Sequence, residues 1–260
     1  MDLQLKDKVI VVTGGASGIG AAISEACAAE GAIPVIINRE SELAQPFVAR
    51  LRSAGHRCEL ITIELDTPDT CKRAIDEALR LCGRIDGLVN NAGINDKIGL
   101  EHGDPQDFIN SVRVNLWHYF SMTHFAVPAL KATRGSIVNI SSKTAVTGQG
   151  GTSGYAAAKG AQLALTREWA VDLLPYGVRV NAIVPAEVST PQYQNWITTF
   201  PSPEEKLRGI TSRIPLGKRM TQPSEIASMA VFLLSEKSAH TTGQHLYVDG
   251  GYVHLDRAIT

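Results

Sequence analysis

Tyr155 and Lys159 lie four residues apart in the stretch GYAAAKGA, whose other members are small. On a helix these positions share one face, so the lysine ammonium would lie beside the tyrosine oxygen. A phenol has an ordinary pKa of about 10, and a nearby positive charge lowers it. The pair would therefore suit a general base that removes a proton from an alcohol. A packed tyrosine beside a solvated lysine is the alternative.

A second pattern follows the first predicted strand, where VVTGGASGIG places Gly14, Gly18 and Gly20 before a predicted helix. Glycines permit a tight turn and close approach of the backbone to a ligand, and free N–H groups at a helix start attract pyrophosphate. A tight strand-to-helix connection without a ligand is the alternative. Because the turn follows the first strand of an alternating α/β chain, we predict a dinucleotide site.

The residues that end the second predicted strand, Asn38 and Arg39, bear on the choice between NAD and NADP. An acid at this place commonly binds the adenosine ribose hydroxyls of NAD. Asparagine does not repel a 2′-phosphate and arginine can pair with one, so the sequence favours NADP over NAD. The alternatives are that Arg39 stacks on adenine or faces water, and that Asn38 hydrogen-bonds NAD.

Short apolar, β-branched runs alternate with longer helix-like segments along the chain. Continuous apolar runs of this kind indicate a parallel sheet buried on both faces. We therefore predict an α/β fold, a single doubly wound domain over residues 1–260 with a seven-stranded parallel sheet; Thr67 followed by Pro68 predicts a helix start. The seven runs are KVIVVT (8–13), PVIIN (34–38), CELITIE (58–64), DGLVN (86–90), SIVNI (136–140), VRVNAIV (178–184) and HLYVD (245–249).

The segment at about 186–220 interrupts this alternation with polar residues and four prolines, Pro191, Pro201, Pro203 and Pro215. A long excursion outside the sheet is usually functional or disordered. We predict a mobile lid over the substrate.

Composition excludes several classes of protein. Hydrophobic residues make up 44% of the 260 residues, enough for a sizeable core. The 25 basic and 26 acidic residues give a formal charge of -1 without a like-charge block, which argues against nucleic acid and membrane partners. The four cysteines have no zinc-site spacing, so we expect no metal site and free thiols in a reducing compartment. The N-terminus fits neither a secretory signal nor a transit peptide, and we expect a cytoplasmic protein.

Several motifs together resemble the short-chain dehydrogenases/reductases over essentially the whole chain. TGGASGIG resembles the family's cofactor turn, and NNAG at 90–93 resembles the segment after its fourth strand. Ser142, Tyr155 and Lys159 match its catalytic triplet, and Asn115 in VNLW matches the asparagine that completes the tetrad. VRVNAIVPAEVST, IPLGKR and TGQHLYVDGGY look like its sixth-strand and C-terminal segments.

The resemblance implies a Rossmann-type fold and an NAD(P)-dependent oxidoreductase. It implies that Tyr155 takes the hydroxyl proton while hydride leaves for nicotinamide, and that Ser142 holds the same oxygen. Lys159 would tune the tyrosine and reach the ribose, and Asn115 would hold a water that links Lys159 to solvent. A simple cap for Ser142 and a satisfied core amide for Asn115 are the alternatives. The predicted cofactor-binding residues are Gly14, Ser17, Gly18, Ile19, Gly20, Asn38, Arg39, Asp66, Thr67, Asn91, Ala92, Gly93, Tyr155, Lys159, Pro185, Val188 and Thr190.

Two departures from the family pattern fall near the expected substrate pocket. Ala186 stands where the family usually has glycine after Pro185, and Glu187 adds a carboxylate where apolar residues are common. The candidate residues of the substrate pocket, given at the end of this paragraph, are polar and suit a hydroxyl-rich substrate such as an aldose or polyol. Polar loop residues also commonly face water. The tail GGYVHLDRAIT resembles the L-fucose dehydrogenases of the family, which implies oxidation of an aldose at C1 to its lactone. The predicted substrate-binding residues are Asn95, Ser142, Lys143, Gln149, Tyr155 and Glu187.

Two other functions stay open at this point. Reduction of a 3-oxoacyl thioester predicts a basic patch near the pocket mouth for a phosphopantetheine carrier. The second alternative is a protein that senses a nucleotide without catalysing a reaction. The complete set of Asn115, Ser142, Tyr155 and Lys159 argues against it. The helices expected at about 105–131 and 153–174 resemble the family's paired-helix subunit interface, which implies a homotetramer, and the C-terminal tail is a candidate to pack on a neighbouring subunit.

Overall fold

The computed structural model describes residues 2–255 and contains a sheet of seven parallel strands. They are ordered β3-β2-β1-β4-β5-β6-β7, and the order reverses between β1 and β4, the switch point at which doubly wound sheets bind ligands. Each strand overlaps its predicted run, which confirms the predicted fold class. The strands are β1 (Val9–Thr13), β2 (Ile33–Asn38), β3 (Glu59–Thr62), β4 (Gly87–Asn90), β5 (Ser136–Ile140), β6 (Arg179–Pro185) and β7 (His245–Val248).

Strand β1 illustrates why continuous apolar runs form this sheet. All of its residues are buried. Val9 and Val11 pack in one apolar cluster, whereas Ile10 and Val12 pack in another, because successive side chains of a strand point to opposite faces. Both faces of the sheet are therefore covered.

Helices cover the sheet and connect its strands. Helix α3 begins where predicted: the Thr67 Oγ1 accepts a hydrogen bond from the Thr70 backbone N–H at 3.2 Å, and Pro68 occupies the first turn. A π-helix at Arg113–Trp117 joins α4 to α5. None of the helices in residues 2–255 has the length and apolar character needed to cross a bilayer. The helices are α1 (Gly18–Ala29), α2 (Ser41–Ser53), α3 (Pro68–Cys82), α4 (Pro105–Val112), α5 (His118–Thr133), α6 (Ser153–Leu173), α7 (Pro191–Ile197), α8 (Pro203–Thr211) and α9 (Pro223–Leu234).

The predicted lid segment contains two short helices, α7 and α8. Each starts at a proline: Pro191 follows Thr190, whose hydroxyl accepts from the Tyr193 N–H at 3.2 Å, and Pro203 follows Ser202. Prolines that suggested an irregular loop therefore begin helices, since their missing N–H is not needed there. The single-domain assignment and the movement of this segment stay predictions. The last five residues of the tail singled out above, 256–260, lie outside the described residues.

Candidate active site

The glycine-rich turn between β1 and α1 has a backbone that requires glycine. Gly14 and Gly18 have φ angles of 61° and 52°, in the left-handed region. Gly20 packs against the back of the turn: a Cβ there would lie 2.2 Å from the Gly14 carbonyl oxygen and 2.5 Å from the Asn91 Nδ2. Helix α1 thus starts tight against the end of β1, with its first N–H groups free of helical partners. This geometry fits the pyrophosphate of a dinucleotide.

Hydrogen bonds tie the turn to the NNAG segment across the switch point. The Thr13 Oγ1 accepts from the backbone N–H groups of Asn91 at 2.9 Å and Ala92 at 3.1 Å. In return, the Asn91 Nδ2 donates to the Thr13 carbonyl at 2.9 Å. The two predicted cofactor segments therefore form one connected wall.

At the end of β2, the predicted residue Arg39 lies beside two carboxylates that were not predicted. The Arg39 guanidinium lies 3.2 Å from a Glu40 carboxylate oxygen and 3.8 Å from one of Glu64, and its side chain is 62% exposed. The Asn38 Nδ2 donates to the Glu40 carbonyl at 3.0 Å. Exposed ion pairs of this kind are weak, so the two carboxylates hold the guanidinium only loosely.

Strand β5 and helix α6 bring Ser142 and Tyr155 together. Ser142 follows β5 and caps the 3-10 helix Lys143–Ala145, its Oγ accepting from the Thr144 N–H at 3.2 Å. The Ser142 hydroxyl also lies close enough to the Tyr155 hydroxyl to favour its phenolate. Ser142 is therefore the cap that the sequence offered as the alternative, and its hold on the substrate oxygen stays a prediction.

Lys159 is buried behind the tyrosine and is held by groups other than Tyr155. Its Nζ donates to the Ile140 carbonyl at 2.7 Å and to the Tyr119 Oη at 3.3 Å, and it lies 5.5 Å from the centroid of the Tyr155 ring. The sequence analysis missed Tyr119. Tyr119 lies four residues after Asn115, a spacing that could have indicated a residue of the site. A tyrosine on a buried helix face is, however, normally part of the hydrophobic core.

The pKa of Tyr155 differs from the sequence prediction. Burial raises it to about 12, the nearby Ser142 hydroxyl opposes this, and the Asp96 charge adds to it. Burial also lowers the pKa of Lys159 to about 7. The lysine donates to a backbone carbonyl and Tyr119 instead, so in this cavity its charge does not offset the loss of water around the phenol.

Asn115 lies in the π-helix Arg113–Trp117 and does not line the cavity. Its Oδ1 accepts from the Ile94 N–H at 2.8 Å, and its two amide hydrogens go to the carbonyls of Ile94 at 3.0 Å and Ser111 at 2.9 Å. Its own carbonyl accepts from the Gln162 Nε2 at 2.7 Å. The side chain is thus the satisfied core amide of the alternative, and the role in holding a water stays a prediction.

A cluster of three polar side chains begins at Lys143, the residue after Ser142. The Lys143 ammonium pairs with the Glu187 carboxylate, whose Oε2 accepts from the Tyr193 hydroxyl at 2.6 Å. The Lys143 Nζ also lies 4.4 Å from the centroid of the Tyr252 ring. We call Lys143, Glu187 and Tyr193 the wall triad. Tyr193 was not among the predicted residues, because nothing in the sequence relates α7 to Glu187.

One cavity of about 2110 Å³ joins these parts. Every predicted substrate-binding residue lines it, including Asn95 and Gln149. Of the predicted cofactor-binding residues, Gly20 and Thr67 do not line it, because Gly20 supports the turn from behind and Thr67 caps α3. The remaining predicted cofactor-binding residues do line it, namely Gly14, Ser17, Gly18, Ile19, Asn38, Arg39, Asp66, Asn91, Ala92, Gly93, Tyr155, Lys159, Pro185, Val188 and Thr190.

Comparison with known proteins adds a decisive observation. The family model described as Enoyl-(Acyl carrier protein) reductase matches residues 14–253. The chain belongs to the short-chain dehydrogenases/reductases. As a member of this family it is an oxidoreductase that uses NAD(P), which rules out the nucleotide-sensing alternative.

Individual members of the family differ in substrate. The chain is 39% identical to an L-fucose dehydrogenase of Oryctolagus cuniculus over 94% of its length and 84% of the relative. It is 35% identical to the 3-oxoacyl-[acyl-carrier-protein] reductase FabG of Thermotoga maritima over 96% of its length and the whole of that protein. The crystal structure of Cj0485 dehydrogenase superposes with a TM-score of 0.94 at 48% identity, covering 99% of this chain and 98% of the other.

Proposed function

We propose that this chain is an NAD(P)-dependent dehydrogenase that oxidises a secondary or hemiacetal alcohol, and that its substrate is a sugar such as L-fucose, oxidised at C1 to a lactone. The observation that carries the proposal is the single cavity that joins the glycine turn, Ser142 and Tyr155 to the polar wall triad. Similarity to an L-fucose dehydrogenase supports the choice of substrate.

The chain's own residues would handle the proton. Tyr155 would accept the proton of the substrate hydroxyl, Ser142 would hold the substrate oxygen, and Lys159 would contact the ribose. The oxidised nicotinamide, when bound, accepts hydride from the same carbon and brings a positive charge that favours the phenolate. Loss of both a proton and a hydride converts an alcohol to a carbonyl, and a cyclic hemiacetal to a lactone. In the reverse direction Tyr155 is the acid.

The cavity walls support a hydroxyl-rich substrate. The charged residues Lys143 and Glu187 are buried, and both line the cavity with Ser142. A steroid or acyl chain would cover them without giving hydrogen bonds, which is costly for buried polar groups. Trp196 and Phe200 stack edge-to-face at 5.0 Å and line the same cavity, so they offer apolar surface to the ring of a sugar.

The competing function is reduction of a 3-oxoacyl thioester. Lys97, Lys206 and Arg213 line the cavity, so basic residues of the kind that function requires are present. Similarity to FabG supports this candidate.

A substrate panel distinguishes the two functions. We expect kcat/KM for L-fucose to exceed that for cyclohexanol at least about 100-fold, because the polar wall binds the extra hydroxyls. NAD(P) reduction is followed at 340 nm, the lactone and its hydrolysis product by mass spectrometry, and acetoacetyl-CoA reduction in parallel. Reduction of acetoacetyl-CoA without oxidation of any aldose would make the thioester function correct and the sugar proposal wrong.

We propose further that NADP is favoured over NAD, with Arg39 pairing the 2′-phosphate. Replacement of Arg39 by alanine is then expected to lower kcat/KM for NADP about tenfold and to change that for NAD less than twofold, since only NADP carries the phosphate. Initial rates with each cofactor measure this. Arg50→Ala, in another exposed ion pair on α2, is the matched control. Equal losses with both cofactors, or a wild-type preference for NAD, would contradict the assignment.

The homotetramer and the cytoplasmic location implied above stay predictions. We propose α5 and α6 as the subunit interface because large apolar side chains are exposed on or next to them, among them Trp117, Phe120 and Val171.

A further inference from the structure

The wall triad joins three separate parts of the chain at one point. Lys143 begins the 3-10 helix after β5, Glu187 follows β6, and Tyr193 lies in α7. The residues of the ion pair are only 7% and 9% exposed. A buried ion pair contributes little to stability on average, because desolvation offsets the attraction. Stability alone therefore does not account for a charged pair in a cavity wall.

The pair retains hydrogen-bonding capacity that the triad does not use. An ammonium has three donors, and a carboxylate has about four acceptor positions. Within the triad, Lys143 donates to Glu187, and Glu187 also accepts from Tyr193. Burial and the Glu187 charge raise the pKa of Tyr193, so its hydroxyl remains a donor that fixes the carboxylate. Both charged residues thus offer a donor and an acceptor side by side to a ligand in the cavity.

The charges of the pair select for a neutral ligand. A phosphate or carboxylate placed on Lys143 would also meet the Glu187 carboxylate, so the net attraction for an anion is small. A 1,2-diol matches the pair instead, since one hydroxyl accepts from the ammonium and its neighbour donates to the carboxylate. Lys143 directly follows Ser142, and neighbouring Cα atoms are about 3.8 Å apart. Because Ser142 and Lys143 both line the cavity, a ligand whose reacting oxygen meets Ser142 can place a neighbouring hydroxyl at Lys143.

We propose that Lys143 and Glu187 form a subsite for two adjacent hydroxyls next to the reacting carbon, with Tyr193 as the positioning residue for Glu187. On a sugar oxidised at C1, Lys143 binds the C2 hydroxyl and Glu187 binds the C3 hydroxyl. The sugar form of the inference rests on the proposed function. The substrate class becomes a vicinal polyol with free hydroxyls at the two carbons after the reacting one.

Deoxy sugars test the subsite. Wild-type kcat/KM is expected to fall about 10- to 100-fold from L-fucose to its 2-deoxy and 3-deoxy analogues, because each loses a hydrogen bond to a charged group. Glu187→Gln should lower kcat/KM for L-fucose by a similar factor but for the 3-deoxy sugar less than threefold. Lys143→Met should likewise lower kcat/KM for L-fucose by a similar factor, but for the 2-deoxy sugar less than threefold. The matched control is Glu77→Gln, in the exposed Glu77–Arg80 pair on α3, which should change nothing.

Further arms separate the possible outcomes. If Glu187→Gln or Lys143→Met lowered kcat/KM equally for L-fucose and for its deoxy analogue, the subsite would be overturned. The same holds if neither variant lowered kcat/KM for L-fucose. Tyr193→Phe, which keeps the ring, should raise KM for L-fucose by a larger factor than KM for cyclohexanol, and it serves if Glu187→Gln does not fold. A comparison of kcat/KM for cyclohexane-1,2-diol and for cyclohexanol does not depend on sugar oxidation. A wild-type preference for the diol that Lys143→Met abolishes supports the subsite even where L-fucose is not oxidised. The absence of a preference for the diol overturns it.

Discussion

Replacement of Tyr155 by phenylalanine is expected to lower kcat about 1,000-fold, within the usual range for loss of a general acid or base. The ring keeps its packing in α6 and only the hydroxyl that contacts Ser142 is lost. Because the glycine turn lies on other elements, the dissociation constant for the cofactor should change less than twofold. Stopped-flow or steady-state rates and cofactor fluorescence titration measure the two quantities.

The pH dependence of the oxidation and reduction rates tests the role of Tyr155 independently. Burial raises the pKa of Tyr155 to about 12, so the phenolate fraction grows as the pH rises. Oxidation by the wild type should therefore become faster with increasing pH, whereas reduction, which needs the phenol, should stay level until the pH approaches 12; the residual activity of the variant should lack the rise in oxidation. Tyr176→Phe, at a 45% exposed tyrosine after α6, is the control. Wild-type rates in the Tyr155 variant would mean that another group moves the proton.

The second large effect is expected at Gly20. Alanine there would place a Cβ 2.2 Å from the Gly14 carbonyl oxygen and 2.9 Å from its carbonyl carbon. These are backbone atoms, so the turn itself must shift. We expect cofactor affinity to fall at least about tenfold and the free energy of unfolding to fall by about 1–3 kcal/mol, the usual cost of overpacking.

A glycine in a roomy place provides the comparison. A Cβ at Gly160, in α6, would meet its nearest atom, the Ala145 carbonyl oxygen, only at 3.9 Å. Gly160→Ala should leave cofactor binding unchanged and stabilise the helix by up to about 1 kcal/mol. Calorimetric titration and chemical unfolding measure both variants. Unchanged binding in Gly20→Ala would show that the turn does not hold the cofactor.

The sheet could be predicted from sequence because its signals are local. A run such as VIVV carries the burial pattern of β1 in itself, and the Thr67–Pro68 pair carries its own cap. The shared role of Ser142 and Tyr155 came from the resemblance to the family and stays a prediction. Boundaries differed where a proline continues a strand, as Pro185 does at the end of β6.

Contacts between distant segments were not predictable in this way. The bond from Tyr193 to Glu187 depends on where α7 is placed after β6, and the contact of Tyr119 with Lys159 joins two different helices, α5 and α6. The raised pKa of Tyr155 has the same origin. Spacing indicated that a lysine was near, but only the packed structure shows how much water is lost and which atoms the ammonium contacts.

The π-helix at Arg113–Trp117 fixes the angular phase of α5 relative to α4. Each residue of an α-helix advances about 100° around the axis, so the wider turn changes which side chains of α5 face inward. Tyr119 faces Lys159 and is fully buried, whereas the next residue, Phe120, is 55% exposed. If the same residues formed a regular α-helix, α5 would be rotated by about one position and Tyr119 would point where Phe120 points now, so the π-helical turn is as critical to the lysine environment as residue identity.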